Sequence, residues 1–413
     1  MTGRVRPLLL IVHSYYEEDP RVRRQAEALV AAGRPVLVVG LRQPDEPADG
    51  ELNGVRIHRV DVQRHQGAGL GTYLREYLGF GFRAAWYAVR AHRRHRFGLV
   101  QVASLPDFLA FAALPLKLVG VPLILDLHEA MPVFFQTRFP TVKHPLAHRL
   151  LRWQERASIA LSTATLNVNE AMRDRLVRLG EDPDKLHVVI NSPAISRFDI
   201  DAHPRRAFME DGVLRLVYTG ALTPTYEVDV TFRALATVIE RRPELGARID
   251  LYGRGDSEDR LHELATDLGI GHHVAFHGRI PIDDVPTRVA LADIGLAPTR
   301  HDPFTDLSLS TKVYEYAAMG KPVVASRLPL VERTFGPGTV FAYAPGDADA
   351  AAAAILAVVD DEAARTAAVA ATLEVVRAAA WERESVGYVA LIDRFATGGP
   401  RSPRNESARL SSS

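Results

Sequence analysis

Short runs of aliphatic residues recur along the chain, each followed by a stretch in which apolar positions return every three or four residues. Such a run reads as a strand covered on both faces, and the three-to-four spacing as a helix with one buried face. In the first half the runs predict strands at Leu8–Val12, Val36–Val39, Val55–Val60, Leu99–Val102, Leu123–Asp126, Thr165–Val168 and His187–Ile190. Helices are expected at Pro20–Ala32 and Pro106–Val119, with Gly33 and Gly120 as their stops. The rhythm restarts in the second half, with strands expected at Leu214–Thr219, Arg248–Tyr252, Val274–His277, Ile294–Ala297 and Val323–Ser326. Alternation of this kind predicts an α/β class with two parallel sheets, each covered by helices on both faces.

Between the halves, 192–212 is rich in Pro, Asp and Arg without periodicity and reads as a linker. The expected division is a first domain over 1–191, a second over 213–380, and a helix over 381–396. In that helix Val386, Val389 and Ile392 are expected on one apolar face. The tail 397–413, rich in Gly, Ser, Pro and Arg, is expected to be disordered. Ligands of open α/β sheets bind beyond the carboxyl ends of the strands, so the site is expected in the cleft between the two domains.

Composition narrows the classes. Basic and acidic residues balance at 50 each, so no net field draws the chain to nucleic acid or membrane. The absence of Cys excludes a disulfide framework, a thiolate metal site and a Cys nucleophile, and fits a cytoplasmic location. The run Leu8–Val12 is too short for a signal peptide and reads as a first strand. The longer apolar stretch Phe108–Leu127 is split at Gly120-Val121-Pro122 and reads as a helix followed by a strand.

One segment carries more chemistry than the rest: Ser310-Thr311-Lys312-Val313-Tyr314-Glu315-Tyr316-Ala317-Ala318-Met319-Gly320-Lys321-Pro322. It resembles the donor-site signature of family-four retaining glycosyltransferases. Other marks of that family stand in order: Asp19-Pro20-Arg21-Val22-Arg23-Arg24, Leu125-Asp126-Leu127-His128-Glu129, Val189-Ile190-Asn191, Tyr218-Thr219-Gly220, Tyr252-Gly253-Arg254-Gly255 and Phe276-His277-Gly278-Arg279-Ile280. The resemblance spans about residues 8 to 395. It implies the GT-B architecture, two facing Rossmann-like domains with the C-terminal helix crossing back to the first. It further implies a nucleotide sugar on the second domain, an acceptor on the first, and no cofactor. Two departures stand out. A family Glu separated from a second one by seven intervening residues is replaced by Leu307, counting back from Glu315, and the loop after Gly220 reads Ala221-Leu222-Thr223-Pro224-Thr225, without the Arg and Lys of many members.

Chemically, transfer from a nucleotide diphosphate needs the ribose held, the leaving diphosphate neutralised and the sugar centre sheltered. Glu315, a turn into a helix, suits vicinal hydroxyls, because charge-assisted hydrogen bonds are the stronger kind. Lys312 and the helix start suit the diphosphate, with Arg254 within possible reach. By resemblance His128 lies beside the transferred sugar, and Gly220, Thr223 and Ile280 lie at the donor. Asp107 and Glu129 are acceptor-side candidates for receiving a proton. No metal ligand set is expected. A basic, aromatic-bearing stretch over Tyr73–Arg96 suits either an ordinary packed helix or peripheral contact with the inner membrane surface, the latter fitting a lipid-linked acceptor. Two rivals remain on the sequence: a non-catalytic nucleotide-sugar-binding protein on this scaffold and a nucleotide-sugar epimerase. A dinucleotide-dependent oxidoreductase is disfavoured, since the turn His13-Ser14-Tyr15-Tyr16-Glu17 holds no glycine.

Overall fold

The computed structural model describes residues 5–62, 70–138, 145–203 and 206–397, so the tail from 398 onward lies outside the described residues. Fourteen strands form two sheets among these residues. The first sheet holds β1 (Leu8–Ile11), β2 (Val36–Leu41), β3 (Asp49–Leu52), β4 (Val55–Val60), β5 (Leu99–Ala103), β6 (Leu123–Leu127), β7 (Ala164–Asn167) and β8 (Leu186–Val188), in the order β3-β4-β2-β1-β5-β6-β7-β8. The second holds β9 (Arg215–Thr219), β10 (Arg248–Tyr252), β11 (Val274–Phe276), β12 (Ile294–Ala297), β13 (Val323–Ser326) and β14 (Phe341–Tyr343), in the order β11-β10-β9-β12-β13-β14.

All pairings are parallel except β3 with β4, a hairpin closed through Asn53 and Gly54, both at positive φ. That edge strand and β14 escape the sequence pattern. In β3, Asp-Gly-Glu-Leu has no aliphatic run, and Phe341–Tyr343 is too short to show one. A second difference concerns Pro106–Val119, which is a 3₁₀ segment at Asp107–Ala113 followed by a short α-helix at Leu114–Leu118. Pro115 explains the break: it has no N–H, and its ring crowds the carbonyl four residues back.

The helix Trp381–Ala396 leaves the second domain and packs on the first. Trp381, Tyr388 and Ile392 are buried among Leu8, Leu10, Ala26 and Ile124. Val386 is 71% exposed, against the sequence expectation. At about 100° per residue it stands roughly 200° round the helix from Tyr388. The crossing is stitched to the linker, whose Pro193 carbonyl accepts from Trp381 N at 3.0 Å, and Glu382 accepts from Ser196 N at 2.9 Å. Among the described residues no helix is long and apolar enough to cross a membrane.

Candidate active site

Strand order turns back on itself between β1 and β5 in the first sheet and between β9 and β12 in the second. At such points the loops leave in opposite directions and open a crevice. The two crevices face each other across a cleft of about 450 Å³. His128 and Glu129 after β6, with Arg21, line one wall; Lys312, Tyr226 and Ser310 line the other.

On the first-domain wall, Asp126 at the end of β6 is fully buried. It is held by the Arg21 guanidinium, by Gln25 Nε2 at 2.9 Å and by Gln101 Nε2 at 3.2 Å. Burial would raise its pKa, but Arg21 and His128 outweigh that, and the carboxyl stays below its usual range. His128 Nε2 lies 3.4 Å from Asp126 Oδ2, and the His128 amide donates to Ser104 Oγ at 2.9 Å. The ring therefore stands beside a carboxylate that is itself fixed, with Nε2 buried and making no hydrogen bond to it. Beside it, burial pushes Glu129 up to about 7, with Arg21 opposing. Its Oε2 is buried without a partner.

On the second-domain wall, the helix Thr311–Ala318 points its N-terminus into the cleft. Its N-cap Ser310 makes no side-chain capping bond, and Ser310 Oγ is buried without a partner. Unsatisfied N–H groups and the positive end of the dipole suit an anion there. Lys312 is 6% exposed, with Nζ 3.6 Å from the Tyr226 ring centroid. Burial lowers its pKa, and Glu315 opposes that shift. Glu315 is half-buried; burial raises its carboxyl, opposed by Lys312 and by a Thr311 hydrogen bond. Gly220 makes room for the lysine: a Cβ there would lie 2.6 Å from Lys312 Cε. Among the described residues no group of three or more His, Asp or Glu is placed to hold a metal ion.

Comparison with known proteins decides the class. The Glycosyl transferase 4-like domain matches residues 19–192, and the Glycosyl transferases group 1 domain matches residues 214–361. The chain is a GT-B glycosyltransferase of the family-four type. The α-D-kanosaminyltransferase of Streptomyces kanamyceticus is 24% identical to this transferase over 78% of this chain and 85% of the relative. Glycogen synthase of Mycobacterium tuberculosis is 25% identical over 83% and 82%. Among solved structures, sucrose-phosphate synthase from Thermosynechococcus elongatus superposes with a TM-score of 0.74 over 95% of this chain and 100% of that one, at 17% identity. Anabaena HepE in complex with UDP-glucose gives 0.70 over 94% and 99%, at 14% identity.

The structure of the transferase brings only part of the expected constellation together. His128, Glu129 and Lys312 line the cleft, with Gly220 and Glu315 packed around Lys312. Asp107 does not line it; at 1% exposure, both its carboxylate oxygens are buried without partners, and burial drives its pKa well up. Thr223, Arg254 and Ile280 are also absent from the wall. Ile280 packs into the second-domain core, and the exposed Arg254 lies against Gly278. Leu307, where the family pattern has Glu, packs against the first-domain core, and its carbonyl accepts from Asn169 Nδ2 at 2.9 Å. An apolar side chain suits that contact between domains. Arg21, Asn169 and Tyr226 were not singled out from the sequence as site residues. The run Asp19–Arg24 carried Arg21's signal, while Tyr226 and Asn169 had none.

Proposed function

We propose that the transferase moves a glycosyl group from a nucleoside-diphosphate sugar to an acceptor hydroxyl with retention of anomeric configuration and without metal. The observation that carries this reading is the meeting of a buried lysine and an uncapped helix N-terminus with His128 and Glu129 across one cleft. Lys312 and the N–H groups of Ser310 to Lys312 take the diphosphate, and Glu315 takes vicinal ribose hydroxyls. Fixed positive ends of the chain's own then do the neutralising that a divalent cation would otherwise do. His128 donates to sugar hydroxyls. As the bond from the anomeric carbon to the diphosphate oxygen breaks, its electron pair leaves with the diphosphate. The acceptor oxygen bonds to that carbon from the same face, and its proton passes to Glu129. The complexes of Anabaena HepE with UDP-glucose and of the Escherichia coli trehalose-6-phosphate protein with UDP-2-fluoro glucose, on the same fold, support a nucleotide-sugar donor. A glycan, a small sugar or a lipid-linked sugar fits as acceptor.

The test incubates the protein with a panel of nucleotide sugars and a cell lipid and glycan extract, reading products by mass spectrometry and anomeric configuration by NMR. Transfer with retention, undiminished in chelator, is expected. Inversion, or loss in chelator with recovery on adding magnesium or manganese, would overturn the corresponding part.

A further inference from the structure

We propose that the first-domain face built from the helices Leu70–His95 and Pro145–Leu161 docks the protein on an anionic phospholipid surface. This rests on a different part of the molecule from the donor site.

Leu74, Leu78, Phe82 and Trp86 stand four residues apart on the first helix and are all exposed, Phe82 by 77% and Trp86 by 60%. Steps of four drift by only about 40° per step, so they form one stripe. On the second helix Leu146, Leu150 and Trp153 repeat the arrangement, with Trp153 65% exposed. Both helices pack against the same segment, Asp107–Ala113, whose Phe111 is also exposed. Exposed apolar stripes of this kind mark a surface made for contact.

Charge decides the occupant. Arg75, Arg83, Arg90, Arg93 and Arg94 are exposed on the first helix, as are Arg149, Arg152 and Arg156 on the second. The only acidic residues of these helices, Glu76 and Glu155, are buried, the latter against Arg175 at 2.7 Å. In a chain whose net charge is zero, the exposed charged side chains of these two helices are all basic, with Arg156 paired to Glu181 at 3.6 Å. A second copy would bring arginine against arginine, whereas Trp, Phe and Leu ringed by Arg match the boundary of an anionic bilayer. The face also adjoins the cleft. Tyr77 packs on His13 beyond β1 at 4.7 Å, and the helix Met131–Arg138, which follows Glu129, packs on Pro145–Leu161.

The test sediments the full-length protein with vesicles of phosphatidylcholine, with and without phosphatidylglycerol. Binding is expected only with phosphatidylglycerol, weakened in 1 M salt, where screening acts over about 3 Å. Phe82→Ser with Trp86→Ser, and separately Arg149→Glu with Arg152→Glu, should each lower vesicle binding about tenfold or more at unchanged melting temperature. Val386→Ser, on the exposed side of another helix, should not. Equal binding to neutral vesicles, or variants that bind like wild type, would overturn the proposal. So would a dimer in sedimentation velocity that Phe82→Ser with Trp86→Ser dissolves, since the face would then pair copies. Transfer to a water-soluble acceptor reads the cleft separately, so failure here leaves the donor assignment standing.

Discussion

Glu129 and Lys312 reach the cleft from opposite domains, and burial opposes the charged form of each. For Glu129 this has a sign that can be checked. Its folded pKa, about 7, lies above the ordinary 4.5, so the folded state holds the proton more tightly than the unfolded one. Its contribution to stability is full below pH 4.5 and is lost as pH rises through 7. Glu129→Gln should flatten that decline, recovering up to about 3 kcal/mol at pH 8, since one pKa unit corresponds to about 1.4 kcal/mol. Thermal melts of both proteins from pH 4 to 8 check it; parallel curves would refute the burial argument. If Glu129 receives the acceptor's proton, transfer also rises with pH through 7 in the native protein, and Glu129→Gln removes that limb. Glu315→Gln should weaken donor binding by one to two powers of ten, because losing a charged acceptor costs about 1.5–3 kcal/mol. Its melting temperature should hardly move, and calorimetry showing native donor affinity in the folded variant would end the ribose assignment.

At the level of elements, the crossing helix is wired to the first-domain wall of the cleft. Tyr388 Oη donates to Gln101 Oε1 at 2.8 Å, Gln101 Nε2 donates to Gln25 Oε1 at 2.9 Å, and both glutamines reach Asp126, which stands beside His128. This buried chain links Trp381–Ala396, β5, the helix Pro20–Ala31 and β6. Tyr388→Phe removes a donor from Gln101 without changing shape, so unfolding in denaturant should show a loss of about 1–2 kcal/mol. The transfer rate should fall as well, with donor affinity intact. A variant as stable and as fast as the native protein would mean that the chain of bonds has no bearing on His128.

At the level of the whole molecule, the two domains meet through few strong contacts. Arg279 to Glu18 at 2.7 Å is solvent-exposed, and such pairs contribute little. Phe134 against Phe304, the Leu307 contact and the crossing helix are the larger apolar ties. Chains ending at 380 and at 397 should therefore behave differently. The shorter loses Trp381, Tyr388 and Ile392, each buried side chain contributing roughly 1.5–3 kcal/mol. On the proposed reading donor and acceptor groups come from opposite domains, and a displacement of about 1 Å can cost a hundredfold in rate. Transfer should collapse in the 380-residue chain while donor binding falls less, and the 397-residue chain should match full length. A folded 380-residue chain that transfers at the full rate would show that the crossing helix is dispensable.

What the sequence determined by itself is what lies within reach of neighbouring residues. Aliphatic runs such as Val36–Val39 placed the parallel strands, and the Lys312 and Glu315 spacing put both side chains in the first turns of one helix. Those features depend on local periodicity and on backbone groups a few residues apart. Tertiary structure alone decided the rest. Arg21 meets Asp126 from 105 residues away, and Leu307 leaves its own domain to pack against the other. Val386, apolar in an amphipathic helix, faces solvent because the first domain covers only one side of that helix. Thr223, Arg254 and Ile280 follow the ends of β9, β10 and β11 yet do not line the cleft; Ile280 packs into the second-domain core and Arg254 lies against Gly278. Which face of an element is covered depends on how the elements are packed together, and no stretch of sequence contains that relation.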